Sequence, residues 1–407
     1  MLFSDRSRYA ENPIEEEDRV AFELQKKGEK IIKLSRGDPP SYFPTPKYIL
    51  DAYIEALKEH RTTYSKSEGA DILREAVAKR YRRLYKLDAD PDSVLVTAGV
   101  SEALLFIDSA MMNEGDRAIL FRPYYSLYLP ILKTHGGRPI YEEYDGSKDW
   151  NINVERLSKS LKRLKADGKL NRVKYMMITN PNNPTGTVLD RNVLKEVVDL
   201  ANEYRLLLIS DEIYDEIVYN KAKFTSVCQL AKGMPYMVLN GASKVFDSTG
   251  FRIGFAITPE NDKTSLAIRE KLYDYALMRL SVNTPAQYAA AEAINNTVEH
   301  KRAINTMVSA IEKRANHATK LLNENPLFST VRPNGAFYIL PKIDLKETKF
   351  KDDREFVDSL LKEEDVQVTR GSGFGAPSHF RIVALAPQEI LDLAINRINK
   401  FCRRHSR

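Results

Sequence analysis

Short apolar runs alternate with amphipathic stretches through the middle of the chain. The runs Ser93–Thr97, Arg117–Phe121, Lys174–Thr179, Leu206–Ser210, Tyr236–Asn240 and Ile253–Ile257 carry Val, Ile, Leu, Met and Phe in near-continuous blocks. Strands covered on both faces read that way. Between them, Ser101–Met112 and Arg191–Tyr204 place apolar residues at helical spacing, and Thr284–Leu322 does so over a length that fits one bent helix or more than one. Strand and helix in alternation predict βαβ units and a largely parallel sheet, an α/β fold.

Past about residue 325 the pattern changes. AFYILPKI, DVQVTR and HFRIVAL read as strands of a smaller sheet, flanked by helices over Asp353–Glu363 and Pro387–Arg404. The first ~45 residues, rich in Pro and charge, are expected to pack against it. The organisation expected is a large domain over 46–295 and a smaller α+β domain made from 1–45 together with 296–407. No internal repeat or low-complexity tract interrupts this scheme.

Composition narrows the function classes. The chain has 407 residues, 43% of them hydrophobic and 29% charged, with a net charge of +6 from 62 basic and 56 acidic side chains. That is ordinary for a globular enzyme. The basic excess is thinly spread, with one dense spot at Arg403, Arg404 and Arg407, so neither a nucleic-acid nor a membrane partner is expected. The six histidines form no HxH or HExxH spacing, and no metal site is expected. Cys228 and Cys402 are too few and too far apart for a disulfide framework, which fits a reducing cytoplasm. The N-terminal segment carries charge where a signal peptide needs an apolar core, and no stretch approaches the ~20 apolar residues of a membrane span.

Candidate chemistry gathers at the ends of the predicted strands. In VTAGVSEAL (Val96 to Leu104) a strand gives way through Gly99 to a helix at Ser101. Such a helix start offers free N–H groups and a positive dipole end to a phosphate, though it also suits a plain serine cap. NPNNPTG (Asn180 to Gly186) is a rigid turn that aims Asn183 at a ligand or simply redirects the chain. SDEIY puts Asp211 at the carboxyl end of an apolar strand, where open α/β sheets bind ligands. A carboxylate there is costly without a partner. A cationic ring nitrogen would supply one, and a helix cap is the alternative. Tyr214 follows three residues later. NGASKVFDSTGFRIGF holds Lys244 after another strand and Arg252 eight residues beyond; either could be a plain surface cation. Arg381 lies inside the apolar run HFRIVAL, where a substrate carboxylate or a structural ion pair would stabilise it.

Taken together, NPNNPTG, SDEIY and SKVF…TGFRIG make the chain resemble the fold-type I pyridoxal-phosphate aminotransferases of class I/II, from LSRGDPPSYFPTP to SGFG…HFRIVALAP. The resemblance implies a seven-stranded sheet in the large domain, a smaller mobile domain, and a homodimer with shared active sites. By motif, Lys244 resembles the Schiff-base lysine, which also shuttles the proton. Asp211 resembles the partner of the ring nitrogen, and Tyr214 and Asn183 the groups on the ring oxygen. Gly99, Val100, Ser101 and Arg252 resemble the phosphate cradle, and Tyr125 the residue stacked on the ring. Tyr64, in TTYSKSEG, resembles the tyrosine that reaches the phosphate from the neighbouring subunit. Gly37 and Arg381 resemble the contacts of the substrate carboxylate. Two positions depart from the commonest pattern: Gly241 stands where a hydroxyl is usual, so that Ser243 is the replacement expected at the phosphate, and the stacking residue is Tyr rather than Trp. VTAGVSEAL, NGASKVF and MRLSVNTPAQ resemble the alanine-type branch, which implies exchange of the amino group between alanine and 2-oxoglutarate. Aspartate or aromatic aminotransferases and a C–S β-lyase are the alternatives.

Overall fold

The computed structural model describes residues 2–260 and 263–407. Its main sheet runs, in spatial order, Val94–Thr97, Gly254–Ile257, Tyr236–Gly241, Leu207–Asp211, Val173–Thr179, Arg117–Arg122, Arg138–Asp145 and Asn151–Ile152. Seven of these are strands of four residues or more, and the two-residue Asn151–Ile152 adds a short eighth at one edge. The four pairings from Arg138–Asp145 across to Tyr236–Gly241 are parallel, while Gly254–Ile257 runs antiparallel to both neighbours.

Near-continuous apolar runs follow from this placement, because successive side chains enter cores on opposite faces. Val94, Val96, Ile119, Phe121, Met176, Ile178, Leu208 and Val238 belong to one buried cluster. Leu95, Ala118, Leu120, Tyr175, Met177, Ile209, Met237 and Leu239 belong to the other. The strand Arg138–Asp145 was not among those predicted. Its sequence RPIYEEYD mixes charge into the run, and the structure leaves most of it half-buried beside the short edge strand.

The segment Thr284–Leu322 forms two helices, Thr284–Asn295 and Thr297–Asn323. They break at Asn296, whose side chain accepts a hydrogen bond from Glu299 N–H and starts the second helix.

The smaller sheet system assembles from distant segments. Tyr338–Ile339, Phe380–Val383 and Thr369–Arg370 form a three-stranded antiparallel sheet, and Phe328–Ser329 pairs with Lys342–Ile343. Ile32–Lys33 pairs in parallel with Val366–Gln367, which ties the N-terminal segment to this part of the chain. The helix Pro13–Lys26 adds Glu16 and Glu17, which accept hydrogen bonds from Arg370. The first turn behaves differently: the short helix Asp5–Tyr9 lies against Tyr128–Thr134, with Lys133 Nζ 5.2 Å from the Tyr9 ring.

Candidate active site

The carboxyl ends of the central strands and the edge of the smaller sheet enclose one cleft. Gly37, Val100, Ser101, Tyr125, Asn183, Asp211, Tyr214, Ser243, Lys244, Arg252 and Arg381 all line it. Of the residues singled out in the sequence, Gly99 is not in the lining itself but directly precedes Val100 and sits against Arg252, and Tyr64 stands apart, 78% exposed on the surface of the same chain.

The floor is Asp211, the last residue of its strand and buried. Its Oδ2 accepts a hydrogen bond of 2.7 Å from the Tyr128 hydroxyl, and Oδ1 accepts one of 3.2 Å from Ile213 N–H. Burial pushes its pKa up to about 6, against the opposing pull of these hydrogen bonds and of Lys244. A carboxyl poised in this way is the partner a cationic heterocyclic nitrogen needs. The chain turns immediately after the strand, with Ile217 N–H donating to Tyr214 O, so Tyr214 reaches the same cleft. Its hydroxyl lies 2.7 Å from that of Tyr338. The helical cap considered for Asp211 is not formed, because no helix follows it.

Lys244 lines the same cleft. Its Nζ donates to Gly37 O at 2.7 Å. Burial lowers its pKa to about 8; Asp38 opposes this and the Arg252 and Arg381 cations reinforce it. A lysine held near that value has a sizeable neutral fraction at neutral to mildly alkaline pH, as an amine that bonds an aldehyde or moves a proton requires.

One end of the cleft suits a phosphate. Gly99 precedes the helix Val100–Met111 at φ +77°, and it caps that helix without a side chain. A Cβ at Gly99 would come within 2.4 Å of Arg252 Nη2. Arg252 itself is anchored by donating to Thr249 O at 3.1 Å and Ala98 O at 3.3 Å. The result is a helix N-terminus with a guanidinium against it, the combination that attracts a dianion. Ser243 is buried at the same cleft.

At the other end Arg381 is fully buried. Its Nη1 donates to Asn183 Oδ1 at 2.8 Å, Nη2 donates to Ser35 O, and Nε has no partner among the described residues. The guanidinium lies between the Tyr338 and Phe374 rings, 4.6 and 4.5 Å from their centroids. Among the described residues no carboxylate lies within ion-pair distance of it, and Glu17 acts on it only at longer range, so a direct structural ion pair is not what holds it and the guanidinium remains able to bind a ligand carboxylate. Gly37 is required beside it, since a Cβ there would come within 2.4 Å of the Tyr338 hydroxyl.

Several contributors were not singled out in the sequence. Tyr128 holds Asp211, Thr179 holds Tyr128 at 2.9 Å, and Tyr338 meets both Tyr214 and Arg381. Arg36, Asn12, Ile14 and Glu15 form the mouth. Tyr128 was within reach of sequence reasoning, being three residues beyond Tyr125 on a helical start. Thr179 and Arg36 adjoin Asn180 and Gly37, which the motifs include, while Tyr338, Asn12, Ile14 and Glu15 arrive across long separations and leave no local signal.

An acid for a ring nitrogen, an amine for an aldehyde, a cradle for a phosphate and a free guanidinium for a carboxylate together fit pyridoxal phosphate and an amino acid. The comparisons agree. The sequence model of aminotransferase class I and II matches residues 29–398, and the chain belongs to that family. It is therefore a pyridoxal-phosphate-dependent aminotransferase. Among its relatives, an aspartate aminotransferase of a Bacillus species is 33% identical over 94% of each chain. An alanine aminotransferase of Mycobacterium bovis is 35% identical over 94% of this chain and 87% of its own. The solved alanine aminotransferase from Pyrococcus furiosus superposes with a TM-score of 0.91 at 37% identity, covering 99% of this chain and all of that one.

Proposed function

We propose that the enzyme exchanges an amino group between alanine and 2-oxoglutarate. The observation that carries the donor assignment is the mouth of the cleft. Ile14 and Asn12 line it, and its one additional cation, Arg36, is already paired with Glu15 and Asp18 at 2.9 and 2.7 Å. A small neutral side chain meets no unpaired charge there. The name carried by the Pyrococcus furiosus structure supports the same choice, while the Bacillus relative supports aspartate as the competing donor.

The residue roles proposed rest on the family motifs, supported by the cleft that these residues line. When bound, pyridoxal phosphate supplies an aldehyde for the substrate amine and a ring that accepts electron density from its α-carbon. Asp211, ionised beside a cationic ring nitrogen, keeps that nitrogen protonated. Tyr214 and Asn183 would bind the ring oxygen, and Tyr125 would cover the ring. Gly99, Val100, Ser101, Ser243 and Arg252 would hold the phosphate. Arg381 binds the substrate α-carboxylate with Gly37 and orients the α-carbon toward Lys244. The neutral Lys244 Nζ would take the α-proton and, as the ammonium so formed, would donate it to the carbon that was the cofactor's aldehyde carbon.

The proposed assembly is a homodimer in which Tyr64 reaches the neighbouring phosphate site. Its support is the exposure of Tyr64 together with that of Leu277, Met278 and Leu280. These segments adjoin, since Arg279 donates to Ser67 O and Thr284 to Thr63 O. The division into 46–295 and 1–45 with 296–407 rests on the separate sheets and on the pairing of Ile32–Lys33 with Val366–Gln367. Among the described residues no helix is long and apolar enough to cross a membrane. The buried free thiols Cys228 and Cys402 support placement in the cytoplasm.

A panel of alanine, aspartate and tyrosine as donors to 2-oxoglutarate tests the reading. Alanine should give the highest kcat/KM by about tenfold or more, the discrimination expected from burying or sparing a charge. Alanine turnover far below that of aspartate or tyrosine would remove the assignment.

A further inference from the structure

A transaminase that uses alanine and 2-oxoglutarate must admit a neutral methyl side chain and a charged propionate in turn. After Lys244, Arg252 and Arg381 are assigned to the cofactor and the α-carboxylate, one cation remains among the described lining residues of the chain: Arg36. It precedes Gly37 directly, so it stands next to the proposed α-carboxylate contact. Its partners come from the helix Pro13–Lys26. Nε and Nη2 both donate to Asp18 Oδ2, at 3.1 and 2.7 Å, and Nη2 also donates to Glu15 Oε1 at 2.9 Å.

We infer that Arg36 is the specificity residue for dicarboxylate substrates, exchanging its bond to Glu15 for the distal carboxylate of glutamate or 2-oxoglutarate while Asp18 keeps it in place. The inference rests on the proposed use of 2-oxoglutarate. Three observations carry it. The two anchors differ in burial: Asp18 is 18% exposed and Glu15 52%, so Glu15 is the looser partner. Arg36 is itself 55% exposed, and ion pairs in such surroundings are weak and cheap to exchange. Glu15 also lines the cleft, so the position it vacates is within the substrate's volume. With a neutral substrate the triad stays closed, and the mouth presents no free charge. With a dicarboxylate the guanidinium fork accepts a second carboxylate, for which its geometry is suited. One pocket then serves two substrate classes without movement of the sheet.

The test measures binding of two unreactive acids to the cofactor-loaded enzyme by calorimetry: glutarate, with two carboxylates, and propionate, with one. In Arg36→Met the ratio of the glutarate to the propionate Kd should rise by about tenfold or more, the loss expected for a charge-assisted pair. In Glu15→Gln the same ratio should fall roughly two- to fivefold, because the competing anion is gone. Thermal melting of both variants within a few degrees of the parent excludes misfolding as the cause. An unchanged ratio in Arg36→Met, or a raised ratio in Glu15→Gln, overturns the inference. An intact Arg36 effect on glutarate beside failed alanine turnover would remove the donor assignment and leave the dicarboxylate site standing.

Discussion

The floor and the mouth of the cleft are built from the same kinds of charged groups in opposite surroundings. At the floor, Asp211 is buried at a strand end and held by Tyr128, which is held in turn by Thr179. At the mouth, Arg36, Glu15 and Asp18 meet on a helix surface that stays partly in water. The floor therefore changes the chemistry of its groups, with Asp211 raised to about 6 and Lys244 lowered to about 8. The mouth changes only which partner a permanently charged guanidinium faces. The floor is fitted to one fixed ligand, and the mouth to ligands that alternate.

The largest effect that would break this contrast lies at the floor. Lys244→Ala should lower turnover by at least about 10³-fold, as removal of a nucleophile and proton carrier does. It should also abolish borohydride-stable attachment of the cofactor, read by mass spectrometry. Retention of full activity would remove Lys244 from the chemistry.

Next comes Asp211→Asn, expected to lower kcat about 10²-fold, a typical loss for a group that stabilises developing charge. The same variant sharpens the electrostatic side of the comparison. A carboxyl whose pKa is raised from 3.8 to about 6 in the folded chain binds its proton more tightly there than when unfolded. The cost of ionising it is absent below about pH 4, grows between 4 and 6, and is complete above 6. Cofactor-free Asp211→Asn should therefore gain stability relative to the parent as pH rises through that window, by up to about 3 kcal/mol. Denaturant unfolding at pH 4 and 7 checks it, and an equal difference at both values would contradict the burial argument.

The smallest effect belongs to the mouth. Glu15→Gln should change unfolding free energy by less than about 1 kcal/mol, because exposed ion pairs contribute little. A larger loss would mean that the mouth, like the floor, is structural rather than adaptable.

Much of the floor was legible because its residues sit in short strings at strand ends. Asp211 and Tyr214 share one turn, and Gly99 to Ser101 share another. The sheet showed itself through apolar runs that only a doubly covered strand can carry. What stayed hidden was assembled by long-range packing. Tyr338 meets Tyr214 from 124 residues away, and Arg36 depends on a helix that no local pattern aimed at the cleft. The strand Arg138–Asp145 was hidden for a different reason: near the sheet edge it has little face to bury, so its pattern is mixed.

One consequence follows from a glycine on the strand that faces the proposed phosphate loop. A Cβ at Gly254 would fall 2.5 Å from the carbonyl carbon of Gly99 and 2.6 Å from Val100 N. Loop and strand thus touch main chain to main chain. The height of the phosphate seat above the sheet is set by the thickness of two bare backbones, a dimension that no exchange of side chains can retune. The side chains around that seat can still be exchanged, but its height above the sheet stays fixed as long as Gly254 and Gly99 remain glycine.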